Sequence, residues 1–232
     1  MLSRKIRSFL PRKLICGARA AHILLHLRGQ THTNRDGNCV DAKGDPILWM
    51  TYPAIDFLES LDLSACRVFE YGSGGSTLFW LKRCASIVSV EHFSPWYRKM
   101  MRYVDKRLNM VEEINLASYP ETIRRYGSFD LVVIDGAERG RCAQEAIKHL
   151  NKGGMIIFDN AEWYPNTCAF LRKNGFTQID FCGFSPLNSF TEMTSVFFRD
   201  RLDFPYKAKS PHWTPIGGHP LSFAPPDDLE EA

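Results

Sequence analysis

The chain lacks the features that mark membrane-spanning, zinc-binding and repeat proteins. Arg19 interrupts the longest apolar stretch, so no transmembrane helix fits. The cysteines number seven, an odd count, and they form no CxxC or other zinc-binding spacing. The sequence also has no internal repeat. The cysteine pattern favours a reducing compartment, in which the thiols are free and mostly buried.

Acidic residues are missing from residues 1–28, which hold seven Lys and Arg. The rest of the chain carries 22 Lys and Arg against 26 Asp and Glu, so we expect no nucleic-acid partner. Leu2, Ile6, Phe9 and Leu10 share one helical face of the basic segment. Three interpretations stay open: a helix packed on the body, an amphipathic helix on an anionic membrane surface, or a mitochondrial-type transit peptide. We predict a cytoplasmic protein, with residues 1–28 as the segment suited to peripheral membrane contact.

A length of 232 residues suits one domain with short extensions. We divide the chain into a basic amphipathic segment at 1–28, a lead-in loop and helix at 29–66, a main domain at 67–200 and a proline-rich extended tail at 201–232. The lead-in is rich in turn residues such as Asp36-Gly37-Asn38, and the spacing of its apolar residues predicts a short helix over 53–62.

Strands and helices alternate in the main domain. Apolar runs predict strands at 67–71, 86–90, 111–116, 130–134, 155–158, 177–182 and 194–199. Helical patterns fall at 76–84, 94–108, 119–126, 139–150 and 163–174. This alternation indicates a Rossmann-like α/β fold, with a seven-stranded, mostly parallel sheet and helices on both faces. The connection 183–192 is too short and polar for a crossover helix, so the last two strands should form an antiparallel hairpin.

A glycine turn follows the first strand of this domain. The strand ends near Glu70, and the turn consists of Gly72, Ser73, Gly74 and Gly75. Glycine lets the backbone turn sharply and approach a ligand closely. The dinucleotide fingerprint would need another glycine where Thr77 stands. A carboxylate here favours an amine-bearing ligand over a pyrophosphate, and S-adenosylmethionine (SAM) carries an α-amino group and a sulfonium.

Glu91 and His92 follow the second strand. An acid at this position can accept hydrogen bonds from both ribose hydroxyls of a nucleoside. Enzymes that use NAD share the feature, so Glu91 indicates a nucleoside without specifying which one. We expect His92 to be a secondary contact of the same ligand.

Two further apolar strands end in polar residues, Asp135 after one and Asp159-Asn160 after the other. Neighbouring parallel strands would bring these side chains into one crevice at the carboxyl edge of the sheet. Their oxygen atoms suit Mg²⁺ or another divalent cation. Two alternatives stay open: Asp159-Asn160 caps a helix, or Arg139 or Arg141 folds back and neutralises the pair.

In combination, the motifs from Glu70 to Asn160 resemble class I SAM-dependent methyltransferases. The stretch 44–199, from Gly44-Asp45-Pro46 to Phe197-Phe198-Arg199, looks like a bacterial subgroup of that class with no assigned acceptor. The resemblance implies that the turn at Gly72–Gly75 and Glu70 hold the amino-acid part of SAM and that Glu91 holds its ribose. It also implies that Asp135 contacts the cofactor and acts as a base or a metal ligand.

The pattern of Asp135 with Asp159-Asn160 is also similar to catechol-type O-methyltransferases, in which the matching residues hold a divalent ion. That family has a lysine base three residues after the first acid, and Glu138 stands there in this chain. The lysine mechanism is therefore not expected.

The acceptor that the resemblance implies is a hydroxyl of a small molecule or glycan. We expect Trp49, Tyr52 and Trp163 to line its pocket. Two other functions stay open, an NAD-binding oxidoreductase and a non-catalytic protein with a SAM-binding fold at a membrane surface. The missing third glycine and the terminal hairpin argue against the oxidoreductase. The sequence does not indicate an oligomeric state.

Overall fold

A computed structural model describes residues 11–103, 105–199, 201–207 and 215–218. Seven strands in this part of the chain form one sheet in the order β3-β2-β1-β4-β5-β7-β6. They are β1 (Arg67–Tyr71), β2 (Ser86–Glu91), β3 (Leu108–Glu112), β4 (Phe129–Ile134), β5 (Leu150–Asp159), β6 (Thr177–Phe184) and β7 (Thr191–Phe198). The first five strands are parallel, whereas β7 pairs antiparallel with both β5 and β6. The predicted fold class is therefore confirmed.

Helices cover both faces of the sheet. They are α1 (Arg12–His22), α2 (Tyr52–Ser60), α3 (Gly75–Leu81), α4 (Ser94–Met100), α5 (Arg139–Ala146) and α6 (Pro165–Lys173), with a π-helical turn at Ile23–Leu27 and 3-10 helices at Tyr119–Arg125 and Ala161–Trp163. Side chains of β1 alternate between the two hydrophobic clusters, because successive residues of a strand point to opposite faces. Val68 packs with Trp80 on one face, and Phe69 packs with Tyr119 on the other.

The strand order reverses between β1 and β4, and ligands of open α/β sheets bind at such a point. The loops that leave these two strands lie against each other. Gly72 N donates to Val90 O over 2.9 Å, and Asp135 N donates to Tyr71 O over 3.0 Å. The carboxyl ends of β1, β2 and β4 are thus held together, and this edge positions the candidate site.

Several predicted element boundaries are wrong. The helix predicted over 94–108 ends at Met100, and β3 begins earlier than expected, at Leu108. The chain turns between them because the Asp105 carboxylate accepts a hydrogen bond from Arg107 N, at 2.8 Å. In β5 the strand starts at Leu150 and runs through Gly153-Gly154, which we had interpreted as the end of a helix.

Glycine explains the irregular start of β5. Gly153 has a φ of +76°, and a Cβ on Gly154 would lie 2.7 Å from Asp130 O. The β4–β5 register shifts beside it, between Phe129 and Leu131. The two glycines therefore permit a bulge within the strand rather than a helix stop.

The N-terminal helix adds little to the core. No residue of α1 or of the π-helical turn is buried, and the adjoining Arg28 pairs with Asp56 over 2.5 and 2.6 Å. Positions 1–10 of the predicted amphipathic segment lie outside the described residues. Of the helices in the described part, none has both the length and the apolar character needed to cross a membrane. In the tail, which is described at 201–207 and 215–218, Tyr206 forms an antiparallel bridge with Leu61.

Candidate active site

A cleft of about 580 Å³ opens at the carboxyl ends of β1, β2 and β4. Its lining comprises Gly37, Asn38, Cys39, Trp49, Gly72, Ser73, Gly74, Gly75, Ser76, Glu91, His92, Phe93, Trp96, Asp135, Gly136 and Ala137. The structure thus brings together the predicted glycine turn, Glu91, His92 and Asp135. Residues 37–39 of the lead-in form a further wall of the cleft, across from the glycine turn. The sequence analysis did not predict this wall.

The glycine turn passes very close to the loop after β4. Gly72 has a φ of +92°, and a Cβ there would lie 2.8 Å from the Cα of Gly136. Gly136 is equally constrained, since its Cβ would meet Gly72 N and the hydroxyl of Tyr119. Side chains at these two positions would push the loops apart.

Glu91 fixes the floor of the cleft. Its Oε2 accepts hydrogen bonds from Ser73 N at 2.9 Å and from Ser73 Oγ at 3.0 Å. Its Oε1 accepts from the backbone N–H groups of His92 and Phe93, at 3.0 and 2.9 Å. Four donors therefore hold one carboxylate at the junction of the glycine turn and β2, where its position is well defined.

Glu70 lies beneath the glycine turn instead of in the cleft. It is fully buried, and its Oε2 accepts hydrogen bonds from the hydroxyls of Thr77 at 2.5 Å and Ser89 at 2.6 Å. Thr77 Oγ1 in turn accepts from Gly74 N at 2.9 Å. The prediction that Glu70 contacts the ligand is therefore corrected: it supports the turn through Thr77, the residue that interrupts the dinucleotide fingerprint.

Burial raises the pKa of Glu70 to about 7, so the folded protein retains a proton that the unfolded chain releases near pH 4.5. The free energy of unfolding should therefore fall by about 3 kcal/mol as the pH rises between these values. Glu70→Gln keeps an acceptor for Thr77 and Ser89 and should remove this part of the pH dependence. Urea unfolding of both proteins at about pH 5 and about pH 8 measures the difference. Equal pH dependence in both proteins would show that Glu70 ionises normally.

Arg139 organises the ends of β4 and β5. Its Nη2 donates to Asp135 Oδ1 at 2.9 Å, and its Nη1 donates to Asn160 Oδ1 at 3.1 Å and to Asp159 O at 2.7 Å. Asp159 Oδ1 accepts from the hydroxyl of Thr194 at 2.6 Å. The guanidinium therefore binds the residues that we had predicted as ligands of a divalent cation.

These residues do not fit a divalent cation as they stand. One oxygen of Asp135 and the amide oxygen of Asn160 face a positive charge that is already there, and Asp159 faces a hydroxyl donor. Nowhere in the described ranges do three or more His, Cys, Asp and Glu form a group that could hold a metal. Arg139 therefore neutralises the pair, which is one of the two alternatives left open for these residues. The predicted metal ligand set of Asp135, Asp159 and Asn160 is corrected accordingly.

Both carboxyl groups remain harder to ionise than usual. Burial raises the pKa of Asp135 to about 6, opposed by the nearby Arg139. Burial and the charge of Asp135 raise the pKa of Asp159. A single guanidinium thus only partly compensates two neighbouring acids.

A second cavity, of about 200 Å³, adjoins the cleft. It is lined by Trp49, Asp135, Asp159, Asn160, Asn188 and Glu192, so Trp49 and Asp135 belong to both cavities. Trp49 is 49% exposed and forms part of the shared rim. The sequence analysis did not predict Asn188 and Glu192 as site residues. It identified the segment 183–192 only as too short and polar for a crossover helix.

Two aromatic residues predicted to line the acceptor pocket lie elsewhere. Tyr52 lies beneath the guanidinium of Arg28, 5.0 Å from it, and lines a separate cavity next to α2. Trp163 is 62% exposed and outside the linings of the cleft and the second cavity. Neither residue lines these two cavities, and Trp49 is the predicted aromatic residue that faces both of them.

No protein-family model and no curated protein matches the chain in sequence. Solved structures do match. The chain is similar to precorrin-6y C5,15-methyltransferase from Geobacter metallireducens GS-15, at 12% identity and a TM-score of 0.53, over 75% of this chain and 96% of that one. It is also similar to a methyltransferase from Pyrococcus furiosus, at 15% identity and a TM-score of 0.50, over 80% and 98%. The chain therefore has the fold of class I SAM-dependent methyltransferases.

Proposed function

We propose that the protein is a SAM-dependent methyltransferase that acts on a small acceptor. The observation that carries the proposal is the pair of adjoining cavities with Trp49 and Asp135 in both linings. The larger cavity has the volume of a nucleoside cofactor site and lies at the carboxyl edge of the sheet. A cofactor there and an acceptor in the smaller cavity would meet at Asp135.

The residues of the cleft fit this cofactor. Glu91 offers a fixed carboxylate, and the hydrogen bond that it now receives from the Ser73 hydroxyl can be exchanged for ribose hydroxyls. The three glycines of the turn, Gly72, Gly74 and Gly75, present backbone without side chains to the amino-acid part, and His92 lines the cleft beside Glu91. SAM, when bound, supplies an activated methyl group.

The smaller cavity suits an acceptor hydroxyl of a small molecule or glycan. Arg139 engages Asp135 Oδ1, and among the described residues no hydrogen bond uses Asp135 Oδ2. With SAM bound, that oxygen would accept the proton of the acceptor hydroxyl, while the hydroxyl oxygen takes the methyl group and the S–CH3 bond breaks to release S-adenosylhomocysteine. Asp135 thereby takes the role of the lysine base of catechol-type enzymes, whose position Glu138 occupies here. Because the two substrates lie side by side, much of the rate enhancement would come from their positioning.

Glu91→Ala should weaken binding of S-adenosylhomocysteine by about 2–4 kcal/mol, because it removes the acceptor for two ribose hydroxyls. Titration calorimetry measures the affinity. Glu112→Ala is the matched control, since Glu112 is an exposed acid directly beside Glu91 in the sheet register. Unchanged affinity in a folded Glu91 variant would refute the ribose assignment, and protection of the wild type by NAD alone would favour the oxidoreductase.

We also propose a cytoplasmic location with peripheral contact to anionic membranes through residues 1–28. The described part of this segment contains no acid, and it exposes Leu14, Leu25 and Leu27. A chain that begins at Leu27 keeps Arg28 and should bind S-adenosylhomocysteine normally but no longer pellet with phosphatidylserine vesicles. If the full chain never pellets with them, the membrane proposal is wrong, and if the shortened chain is insoluble, the segment is a packed helix.

A further inference from the structure

A turn of the lead-in covers one end of the cleft. The side-chain oxygen of Asn34 accepts hydrogen bonds from the N–H groups of Asp36 and Asn38, at 2.9 and 3.0 Å, which closes the turn. The Asp36 carboxylate then binds Arg102 at 2.8 Å and the hydroxyl of Tyr103. The turn is thus anchored to the chain that follows α4, and it holds Asn38 over the glycine turn.

The side-chain amide of Asn38 uses its oxygen in a hydrogen bond, whereas its nitrogen has no partner among the described residues. The residue is 4% exposed and lines the cleft, and its Cβ lies 3.4 Å from the position that a Cβ of Gly75 would take. Its Oδ1 accepts a hydrogen bond from Lys99 Nζ at 3.3 Å. Lysine only donates, so the oxygen must face it, and Nδ2 faces away. Within the described residues Nδ2 is buried with no hydrogen-bond partner, and a buried donor without an acceptor is unfavourable.

The charged groups of the cleft favour an anion in one place. Glu91 and Asp135 also line the cleft and would repel an anionic group near them. Lys99, which lies 3.6 Å from the ring centre of Trp96, brings a positive charge to the Asn38 end. An anion in the cleft is therefore favoured where an amide donor and an ammonium group are close together.

We propose that Asn38 donates a hydrogen bond from Nδ2 to the carboxylate of the amino-acid part of SAM. Lys99 is a positioning residue, because it fixes the orientation of the amide. This inference rests on the proposed function, and it assigns the lead-in a direct part in selecting a cofactor that carries an amino-acid group. The nucleoside part of SAM has no anionic group, so it does not need this donor.

Two ligands that share the adenosine part test the assignment. S-adenosylhomocysteine carries the carboxylate, whereas 5′-methylthioadenosine lacks the whole amino-acid group. Asn38→Leu has a similar shape but no donor, and it should weaken S-adenosylhomocysteine about tenfold to a hundredfold while leaving 5′-methylthioadenosine unchanged. Asn38→Asp should weaken it at least as much, because two carboxylates repel. Arg35→Leu, an exposed position on the same turn, is the matched control and should change neither affinity.

The possible failures can be told apart by calorimetry with both ligands. Unchanged affinity of the Asn38→Leu variant for S-adenosylhomocysteine overturns the role of Asn38 and leaves the proposed function standing. Equal weakening of both ligands also overturns it, since Asn38 would then only maintain the shape of the cleft. If the wild-type protein binds neither ligand, the proposed function fails and the inference fails with it.

Discussion

Replacing Arg139 with alanine is expected to lower the free energy of unfolding by about 3–5 kcal/mol. The guanidinium is the cation that hydrogen-bonds Asp135 and Asn160, and its side chain is only 12% exposed. Its loss leaves two carboxyl groups with raised pKa values next to each other without a compensating charge. Urea unfolding near neutral pH measures the change.

Arg141→Ala is the matched control for this experiment. Arg141 lies one position beyond Gly140 on the same helix, but its side chain is 46% exposed and pairs with Glu138 at the surface. This substitution should lower the free energy of unfolding by less than about 1 kcal/mol. If both variants lose the same stability, Arg139 does not neutralise the carboxyl pair.

Divalent cations should distinguish the variant from the wild-type protein. Without the guanidinium, the side-chain oxygens of Asp135 and Asn160 lose their donor and can bind Mg²⁺ or Mn²⁺ together with Asp159, so either ion should raise the midpoint of unfolding of the Arg139→Ala variant. The wild-type midpoint should not change. Loss of wild-type turnover in excess chelator, with recovery on added Mg²⁺, would contradict our interpretation of the site.

Gly72→Ala is expected to destabilise the protein by about 3–5 kcal/mol and to abolish measurable binding of S-adenosylhomocysteine. Two penalties combine at this position, a φ of +92° and a Cβ that would lie 2.8 to 2.9 Å from backbone atoms of Asp135 and Gly136. Backbone cannot rotate away as a flexible side chain can, so the loops after β1 and β4 must separate.

Gly127→Ala measures the cost of a positive φ alone, without the close contact to another loop. Gly127 has a φ of +84°, but a Cβ there would meet nothing within 4 Å. Its replacement should cost about 1–2 kcal/mol and leave ligand affinity unchanged. Equal stability of the two variants, measured by urea unfolding, would show that the close approach of the two loops contributes nothing.

Elements that are buried on both faces could be predicted from sequence, whereas their exact boundaries could not. The runs that form β1, β2 and β4 are short and largely apolar, and the ends of β2 and β4 place Glu91 and Asp135 at one edge of the sheet. Gly153-Gly154 has the composition of a helix stop, and only pairing with β4 shows that these residues belong to a strand. Local sequence does not contain that information.

Side-chain partners were the least predictable part of the site. The sequence indicates that Glu70 follows an apolar run, but not that Thr77 and Ser89 bind its carboxylate from below. It indicates two arginines near the predicted metal ligands, but not which of them turns inward. The position of Asn38 over the glycine turn depends on contacts between segments about 60 residues apart in sequence, such as the one with Lys99. Such contacts follow from the tertiary fold and not from any local pattern.

The two cavities take most of their walls from different parts of the chain. The cleft is built by the lead-in and by the loops after β1, β2 and β4, whereas Asn188 reaches the smaller cavity from the β6–β7 connection and Glu192 reaches it from the start of β7. Under the proposed function, mutations in this hairpin should therefore change the acceptor and leave cofactor affinity unchanged. An enzyme with this layout could acquire a new acceptor through changes in one hairpin, so relatives that share the cofactor half should differ most between β6 and β7.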